Sequence, residues 1–340
     1  MKVIIPAAGT GKRLRPHTNT KPKPMVYVAG KPIIGHILDR LSEIDPEELI
    51  IVVGYRKDAL KKYVSKHYIN KFRKITYVEQ ELQKGLAHAI YLCKDIVQHT
   101  PVIISLGDML FKTDYRDFLE KHKKNCPCSG SIGIKRVDHP QYYGIIELSE
   151  KNSRIIRNMV EKPRNPISDL AIAGVYIIED TRLLFESIER QMEQNKDKIE
   201  YNLTESLQIM LDYGAKLKIF DVHDWYDCGR PETLLKVNKL LLEELYKKKR
   251  ISNPPKSENS IILQPSAIGN NVYIKNSIIG PYVSVADSTT IENSIITESI
   301  IGKDAYIVNM NLRDSLIGDD VELSGKKNSL SIGDNSSVIF

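Results

Sequence analysis

The sequence is short of the features that would place a chain in a membrane, outside the cell or on nucleic acid. No stretch approaches the roughly 20 consecutive apolar residues that a membrane helix needs. The opening KVIIPAAG breaks at Pro6 before a secretory core could form, so a cytoplasmic protein is expected. Four cysteines occur in 340 residues: Cys93, Cys126, Cys128 and Cys228. The one close pair, Cys126-Pro127-Cys128, has the spacing of neither a C-x-x-C zinc knuckle nor a disulfide framework, so reduced thiols in ordinary structural positions are expected. Aromatic residues make up 7% of the chain, and the basic residues form no continuous face, so no nucleic-acid partner is expected. The last of the eight histidines is His223, which leaves the C-terminal third without an imidazole base.

What is present is an uneven charge. Residues 251–340 hold six Lys/Arg and ten Asp/Glu, so the net +6 of the whole chain resolves into +10 before residue 251 and −4 after it. A positive N-terminal part suits an anionic small molecule. The excess begins in IIPAAGTGKRLRPHTNTKPKPMVYVAGKPI, residues 4–33, where Lys12, Arg13, Arg15, Lys21, Lys23 and Lys31 occur without one acidic residue.

Up to residue 110 the chain alternates continuous apolar runs (KVIIP, LIIVVG, ITYVEQ, PVIISLGD) with helical periodicity (PIIGHILDRLSEI, KDALKKYVSKH, LAHAIYLCKDIV). Apolar strands separated by helices predict a doubly wound α/β sheet that binds its ligand at the carboxyl ends of the strands. Strand signals dominate from 129 to 178. Helices are predicted over about 181–193 and 203–213, followed by the strand KLKIFDV and a long helix from Pro231. The polar, proline-bearing ISNPPKSENS marks a linker at 251–260, so a first domain of 1–250 and a second of 261–340 are expected. In the second, Ile-Gly pairs and single Ile or Val residues recur about every fifth or sixth position. That spacing is neither helical nor strand-like and predicts a hexapeptide-repeat, left-handed parallel β-helix.

Gly9-Thr10-Gly11-Lys12 is not a P-loop, because Arg13 stands where a hydroxyl should hold magnesium. Nor is it a dinucleotide fingerprint, because Leu14 stands where the third glycine should be. The longer pattern is more informative. Gly9-x-Gly11-x-Arg13-Leu14-x-Pro16, Pro22-Lys23-Pro24 and Lys31-Pro32 resemble the signature of the sugar-phosphate nucleotidylyltransferases. GLAHA (85–89), SLGD (105–108), YYGIIE (142–147), EKP (161–163), AGVY (173–176), LTESLQ (203–208) and WYDCG (225–229) continue that resemblance in order. It spans essentially the whole chain and is nearest to the long form of glucose-1-phosphate thymidylyltransferase, which carries a C-terminal hexapeptide-repeat β-helix.

The resemblance implies transfer of a nucleotidyl group from an NTP, dTTP first, to a hexose 1-phosphate, glucose 1-phosphate first, with release of pyrophosphate. The attacking phosphate oxygen is already ionised, so the reaction needs positive charge, metal and alignment rather than a base. Backbone N–H groups around Ala8, Gly9 and Gly11 can face phosphates. By resemblance, Arg13 meets the leaving pyrophosphate and Lys23 the α-phosphate. Asp108, at the carboxyl end of a predicted strand, and Asp227 form an oxygen-rich Mg²⁺ site. Gln80 and Gly85 match the base-reading segment. Lys162 falls on the sugar phosphate and Glu161 on sugar hydroxyls, with Tyr143, Gly144, Gly174, Glu200 and Trp225 around the sugar. Asn202 departs from the pattern, standing where a second acidic residue is common.

Three alternatives accompany this reading. The first is a UTP-dependent uridylyltransferase acting on glucose 1-phosphate or N-acetylglucosamine 1-phosphate, since Pro24 replaces a glutamine common in thymidylyl enzymes. The second is a catalytically silent regulatory homologue, which the joint presence of Arg13, Lys23, Asp108, Lys162 and Asp227 disfavours. The third is an acyltransferase, as hexapeptide β-helices often house one, but the absence of histidine from the repeat region argues against it. The flat flanks of the stacked coils predict a homo-oligomer.

Overall fold

The computed structural model describes residues 1–150, 153–223, 225–248 and 256–326. The chain divides into two compact units: Met1–Val26 with Pro32–Thr233, and Tyr27–Lys31 with the residues from Leu234 onward.

The first unit is built on a nine-stranded mixed sheet. Lys2–Pro6 lies at the centre, parallel to Leu49–Val53 on one side and to Val102–Ser105 on the other, and Ile75–Glu79 extends the first of these flanks. The central runs are apolar without alternation because both faces are covered: Ile4, Ile50 and Ile104 are all fully buried. Beyond Val102–Ser105 the direction reverses. Leu170–Ile178, buried along its whole length, pairs antiparallel with it. The long strand also pairs with Gly130–Arg136 and with Gly144–Leu148, and the register slips between Ile172 and Tyr176, around Gly174. Gly174 takes φ +82, where a Cβ would lie 2.9 Å from Leu106 Cδ1, so this irregularity is reserved for glycine. Leu217–Asp221 pairs parallel with Gly130–Arg136, and Ile156–Glu161 pairs antiparallel with Gly144–Leu148.

The predicted helices at 181–193 and 203–213 form as Thr181–Gln194 and Leu203–Asp212. One prediction divides: LAHAIYLCKDIV, read as a single helix, forms Leu86–Tyr91 and Lys94–Val97. Between them Cys93 N–H bonds to Ile90 O and Ile96 N–H to Cys93 O, tighter three-residue bonds that interrupt the α pattern.

In the second unit, Ile261–Ile262, Ile278–Ile279, Ile295–Thr297 and Asn311–Arg313 stack in parallel as one of three sheets. The apolar columns are Ile274, Ile291, Ile307 and Leu323; Ile262, Ile279, Ile296 and Leu312; and Ile268, Val285, Ile301 and Ile317. This is the parallel β-helix that the five-to-six-residue spacing predicts. Corners turn at Asn259, Asn276, Asn293 and Asn309, all at positive φ, a conformation asparagine tolerates better than most residues. Side-chain amides run up this corner, with Asn276 Nδ2 donating to Asn293 Oδ1 at 3.3 Å.

Half of the expected 251–260 linker can be compared with the structure. Residues 251–255 lie outside the described residues, and Lys256–Glu258 is already a strand of the first coil. The second unit also takes in two segments placed in the first domain on sequence grounds, Tyr27–Lys31 and the helix from Leu234. One side chain explains the regrouping. Asn238, buried on that helix, accepts from Ala29 N–H at 2.9 Å and from Ser284 Oγ at 2.6 Å, and donates to Tyr282 O at 3.1 Å. A buried amide must satisfy all its polar atoms, and here it does so with the loop and the coils together.

Candidate active site

A cleft of about 450 Å³ opens at the carboxyl ends of the central strands, lined by the loop that leaves Lys2–Pro6. The loop runs through Ala7 and Ala8 into a single 3₁₀ turn, Lys12–Leu14. Gly11 sits at φ +65, and a Cβ there would lie 2.9 Å from Lys23 Cβ and 3.0 Å from Thr18 Cγ2. Glycine is thus required by both conformation and contact, and it lets the lysine segment pack against the loop. Leu14, fully buried, anchors the turn, while Arg13 stays exposed on the cleft wall. Among the described residues no heavy atom outside its chain neighbours approaches within 4 Å of the position a Cβ on Gly9 would take, so the loop backbone there faces open space.

Behind the loop lies the charged centre. Asp108 follows Val102–Ser105, and Asp227 ends the short strand Trp225–Asp227, which pairs antiparallel with Met109–Phe111 so that Asp227 faces Met109. Cys228 N–H closes the approach by donating to Asp108 O at 3.2 Å. Two carboxylates remote in sequence are thereby fixed side by side. The buried Lys23 stands between them, its ammonium hydrogen-bonded to Asp108 Oδ2 and 3.8 Å from Asp227 Oδ1. One ammonium does not satisfy both acids: Asp227 Oδ1 is buried and has no hydrogen-bond partner among the described residues. Burial raises the Asp227 pKa above the ordinary aspartate range, Lys23 opposes that rise, and the Asp108 charge adds to it. A buried, unpartnered carboxylate oxygen beside a second carboxylate fits a divalent cation with hard oxygen preference, so Asp108 and Asp227 are the residues that would hold Mg²⁺.

On the opposite wall, Gln80 N–H donates to Val53 O, and the Gln80 side chain is buried. Its amide nitrogen donates to Gly85 O at 3.0 Å and lies 3.1 Å from His88 Nδ1. Both amide hydrogens are thus directed into the protein, and Gln80 braces the Gly85 turn rather than offering those donors to a base. Gly85 takes φ +91, where a Cβ would lie 2.5 Å from Tyr201 O. Tyr201 N–H donates to Lys84 O and Ala87 N–H to Tyr201 O. These bonds bring the neighbouring Glu200 to the cleft. Gln83, which sequence reasoning did not single out, also lines the cleft and donates from Nε2 to Ala8 O at 3.1 Å. Its signal was available: it lies between the two residues that were chosen, in EQELQKG.

The remaining predicted residues form a second wall. Glu161 pairs with Gly144 across two strands, and Glu161 Oε2 accepts from Thr204 Oγ1 at 2.6 Å. A Cβ on Gly144 would lie 2.7 Å from that hydroxyl, so glycine makes the bond possible. Lys162 N–H donates to Tyr143 O, and Lys162 Nζ lies 3.3 Å from Glu161 Oε1 with the side chain 62% exposed. Tyr143 meets Trp225 edge-on, ring centres 5.2 Å apart, and Trp225 Nε1 donates to Met109 Sδ at 3.3 Å. Thr204 was missed because its role comes only from the pairing that brings Glu161 onto the Leu203–Asp212 helix.

Ala8, Gly9, Gly11, Arg13, Lys23, Gln80, Gly85 and Asp108 therefore share one cleft with Glu200. Asp227 joins them through Lys23. Tyr143, Gly144, Glu161, Lys162 and Trp225 form the adjoining wall, and Gly174 shapes the strand beneath Met109. The structure places Lys162 in this wall and not in the Lys23–Asp108–Asp227 cluster.

Comparison with known proteins gives the family. Residues 2–244 match the family model for nucleotidyl transferases, so the chain belongs to that family. It is 28% identical to a glucose-1-phosphate thymidylyltransferase of Streptomyces griseus over 99% of this chain and 98% of that one. It is 32% identical to a bifunctional GlmU protein of Methanococcus vannielii, over 94% of this chain and 78% of that protein. Among solved structures, a UDP-glucose pyrophosphorylase complexed with UDP-glucose superposes with a TM-score of 0.58 at 27% identity, covering 73% of this chain and 99% of that one.

Proposed function

We propose that this nucleotidyl transferase joins dTTP to glucose 1-phosphate and releases pyrophosphate. The observation that carries the reaction class is the paired carboxylate centre, Asp108 with the unpartnered Asp227 Oδ1, beside a glycine loop flanked by Arg13. A phosphate oxygen of the sugar phosphate attacks the α-phosphorus, the α–β bridging bond breaks, and its electron pair leaves on pyrophosphate. No proton need move, so positive charge and alignment supply the catalysis.

Each residue then has a bounded task. Backbone N–H groups of residues 8–11 face the triphosphate. Arg13 offers a planar fork to the charge gathering on the departing pyrophosphate. Mg²⁺ held by Asp108 and Asp227 would supply charge neutralisation at the reacting phosphate. Lys23, held at the two carboxylates that would hold the cation, offers its ammonium to the α-phosphate. Lys162 holds the sugar phosphate, and Glu161, braced by Thr204, takes sugar hydroxyls. Tyr143 and Trp225 give the sugar an apolar face.

Glucose 1-phosphate and dTTP are chosen on the near full-length likeness to the Streptomyces thymidylyltransferase. Pro24, at the cleft, favours UTP as the second reading, and the likeness to UDP-glucose pyrophosphorylase supports it. A competition among dTTP, UTP, CTP and GTP with glucose 1-phosphate, read as pyrophosphate release, tests both. Preference for dTTP sustains the first reading, preference for UTP replaces it with the second, and no turnover with any pair refutes catalysis.

A further inference from the structure

At the opposite end of the sheet, four side chains that the transfer reaction does not use converge. His122 lies in the last turn of the Tyr115–Asn125 helix. Cys126 caps that helix, its N–H bonded to His122 O, and so overlies His122 one turn on. Cys126 Sγ lies 3.5 Å from His122 Nε2 and 3.7 Å from Cys128 Sγ, and the three ligand atoms all lie within 4.8 Å of one another. Glu179, just past the Leu170–Ile178 strand, brings Oε1 to 2.8 Å from His122 Nε2.

The two separations at Cys126 Sγ fit edges of a coordination tetrahedron. With Zn–S about 2.3 Å and Zn–N about 2.0–2.1 Å, a tetrahedral ion sets S···S near ~3.8 Å and S···N near ~3.6 Å. The observed 3.7 and 3.5 Å match them, whereas the 2.8 Å from His122 Nε2 to Glu179 Oε1 is a hydrogen bond that a bound ion would replace. The outer partners match as well. His122 Nδ1 lies 3.0 Å from Ser131 Oγ, a fully buried hydroxyl that can accept Nδ1–H once an ion displaces the Nε2 proton now shared with Glu179. Asn125 braces the same region, donating from Nδ2 to Ile219 O at 3.0 Å. Cys126 is exposed, which gives an ion a way in.

We propose that His122, Cys126 and Cys128, whose ligand atoms already lie together, form a structural zinc site, with the Glu179 carboxylate exchanging its hydrogen bond to His122 Nε2 for the fourth position on the ion. Soft thiolates with imidazole and one carboxylate select Zn²⁺ over Mg²⁺. Binding displaces one proton from each thiol to solvent and leaves a net charge of −1 on the site. The ion would tie the helix end to the strands Gly130–Arg136 and Leu170–Ile178. The sequence pattern His122-x₃-Cys126-x-Cys128 gave no knuckle spacing because the fourth ligand lies on another strand.

The test is metal analysis of the full-length protein, purified under reducing conditions without chelator. About one zinc per chain is expected, retained in the Asp108→Asn/Asp227→Asn double variant and reduced to background in Cys126→Ser and in Cys128→Ser. Exchange with Co²⁺ should yield the thiolate charge-transfer and intense ligand-field bands of a tetrahedral site, and zinc should slow the reaction of two thiols with a disulfide reagent. A zinc-free protein that neither gains those bands nor protects its thiols on titration overturns the proposal. So does zinc retained stoichiometrically by folded Cys126→Ser, or a Cys126–Cys128 disulfide in the protein as isolated. Should one serine variant fail to fold, the cobalt spectrum and thiol protection of the unaltered chain still decide.

Discussion

The two ends of the central sheet gather ionisable side chains of opposite character. At the carboxyl end of Val102–Ser105, Asp108 and Asp227 present hard oxygens around a lysine, in an open cleft. At the other end, where Ile178 pairs with Val102, the cluster is soft: two sulfurs, an imidazole and one carboxylate. The first is left electrostatically unresolved, with one carboxylate oxygen lacking a donor. The second has a nearly complete set of partners for each ring nitrogen. A site that must bind and release charge each turnover stays underdetermined until substrate arrives, whereas a site that only fastens can be closed.

The largest test of that contrast is removal of the hard ligands. Asp108→Asn and Asp227→Asn should each lower kcat by about 10³-fold or more while circular dichroism stays unchanged. Near-normal turnover in both would erase the distinction between the poles. Next comes Lys162→Ala, which removes a charge-assisted contact worth about 1.5–3 kcal/mol. It should raise KM for the sugar phosphate about 10- to 100-fold and leave KM for the NTP little changed. The reverse pattern would move Lys162 to the nucleotide side.

A subtler effect concerns proton and metal competition. The folded pKa of Asp227 lies above its unfolded value because of burial. The stability tied to that shift is therefore fully present below the unfolded pKa and is lost as pH rises through the folded pKa. At neutral pH without Mg²⁺, Asp227→Asn should thus raise the thermal midpoint, since Lys23 keeps Asp108 as a one-to-one partner. A fall would mean that Asp227 stabilises the empty site. In parallel, Mg²⁺ affinity should weaken as pH falls, with a midpoint above the ordinary ~3.9 of aspartate. Titration calorimetry across acidic pH reads this directly. The smallest catalytic effect is expected from the far pole: Cys128→Ser should change kcat/KM by about threefold or less while lowering the thermal midpoint by several degrees. A catalytic collapse there would join the two ends into one functional unit.

Much of this was legible in the sequence because it is local. The apolar runs of the central strands, the Ile spacing of the coils and the glycine loop all depend on neighbours within a few residues. Gly11 and Gly85 could be selected by pattern alone, and the structure supplies the reason for each as a close contact. Three things could not be read locally. The hydrogen bonds of Gln80 to Gly85 and His88 depend on how one turn folds back. The Thr204–Glu161 bond depends on a helix meeting a strand 43 residues away. The gathering of Glu179 with His122 and the cysteines depends on sheet order, which no spacing encodes.

Asn238 carries a practical consequence for anyone who cuts or grafts this chain. Its one amide is shared by the loop at Ala29, the helix that bears it and the coil at Tyr282 and Ser284. The proline-bearing stretch after residue 250 looks like the natural place to separate modules, but a cut there strands the amide with its coil-side partners gone. A transplantable β-helix cassette begins at Leu234 and must travel with a recipient loop that can stand in for Tyr27–Lys31. The coils are thus less an appendage than a part whose fitting was machined into the first thirty residues.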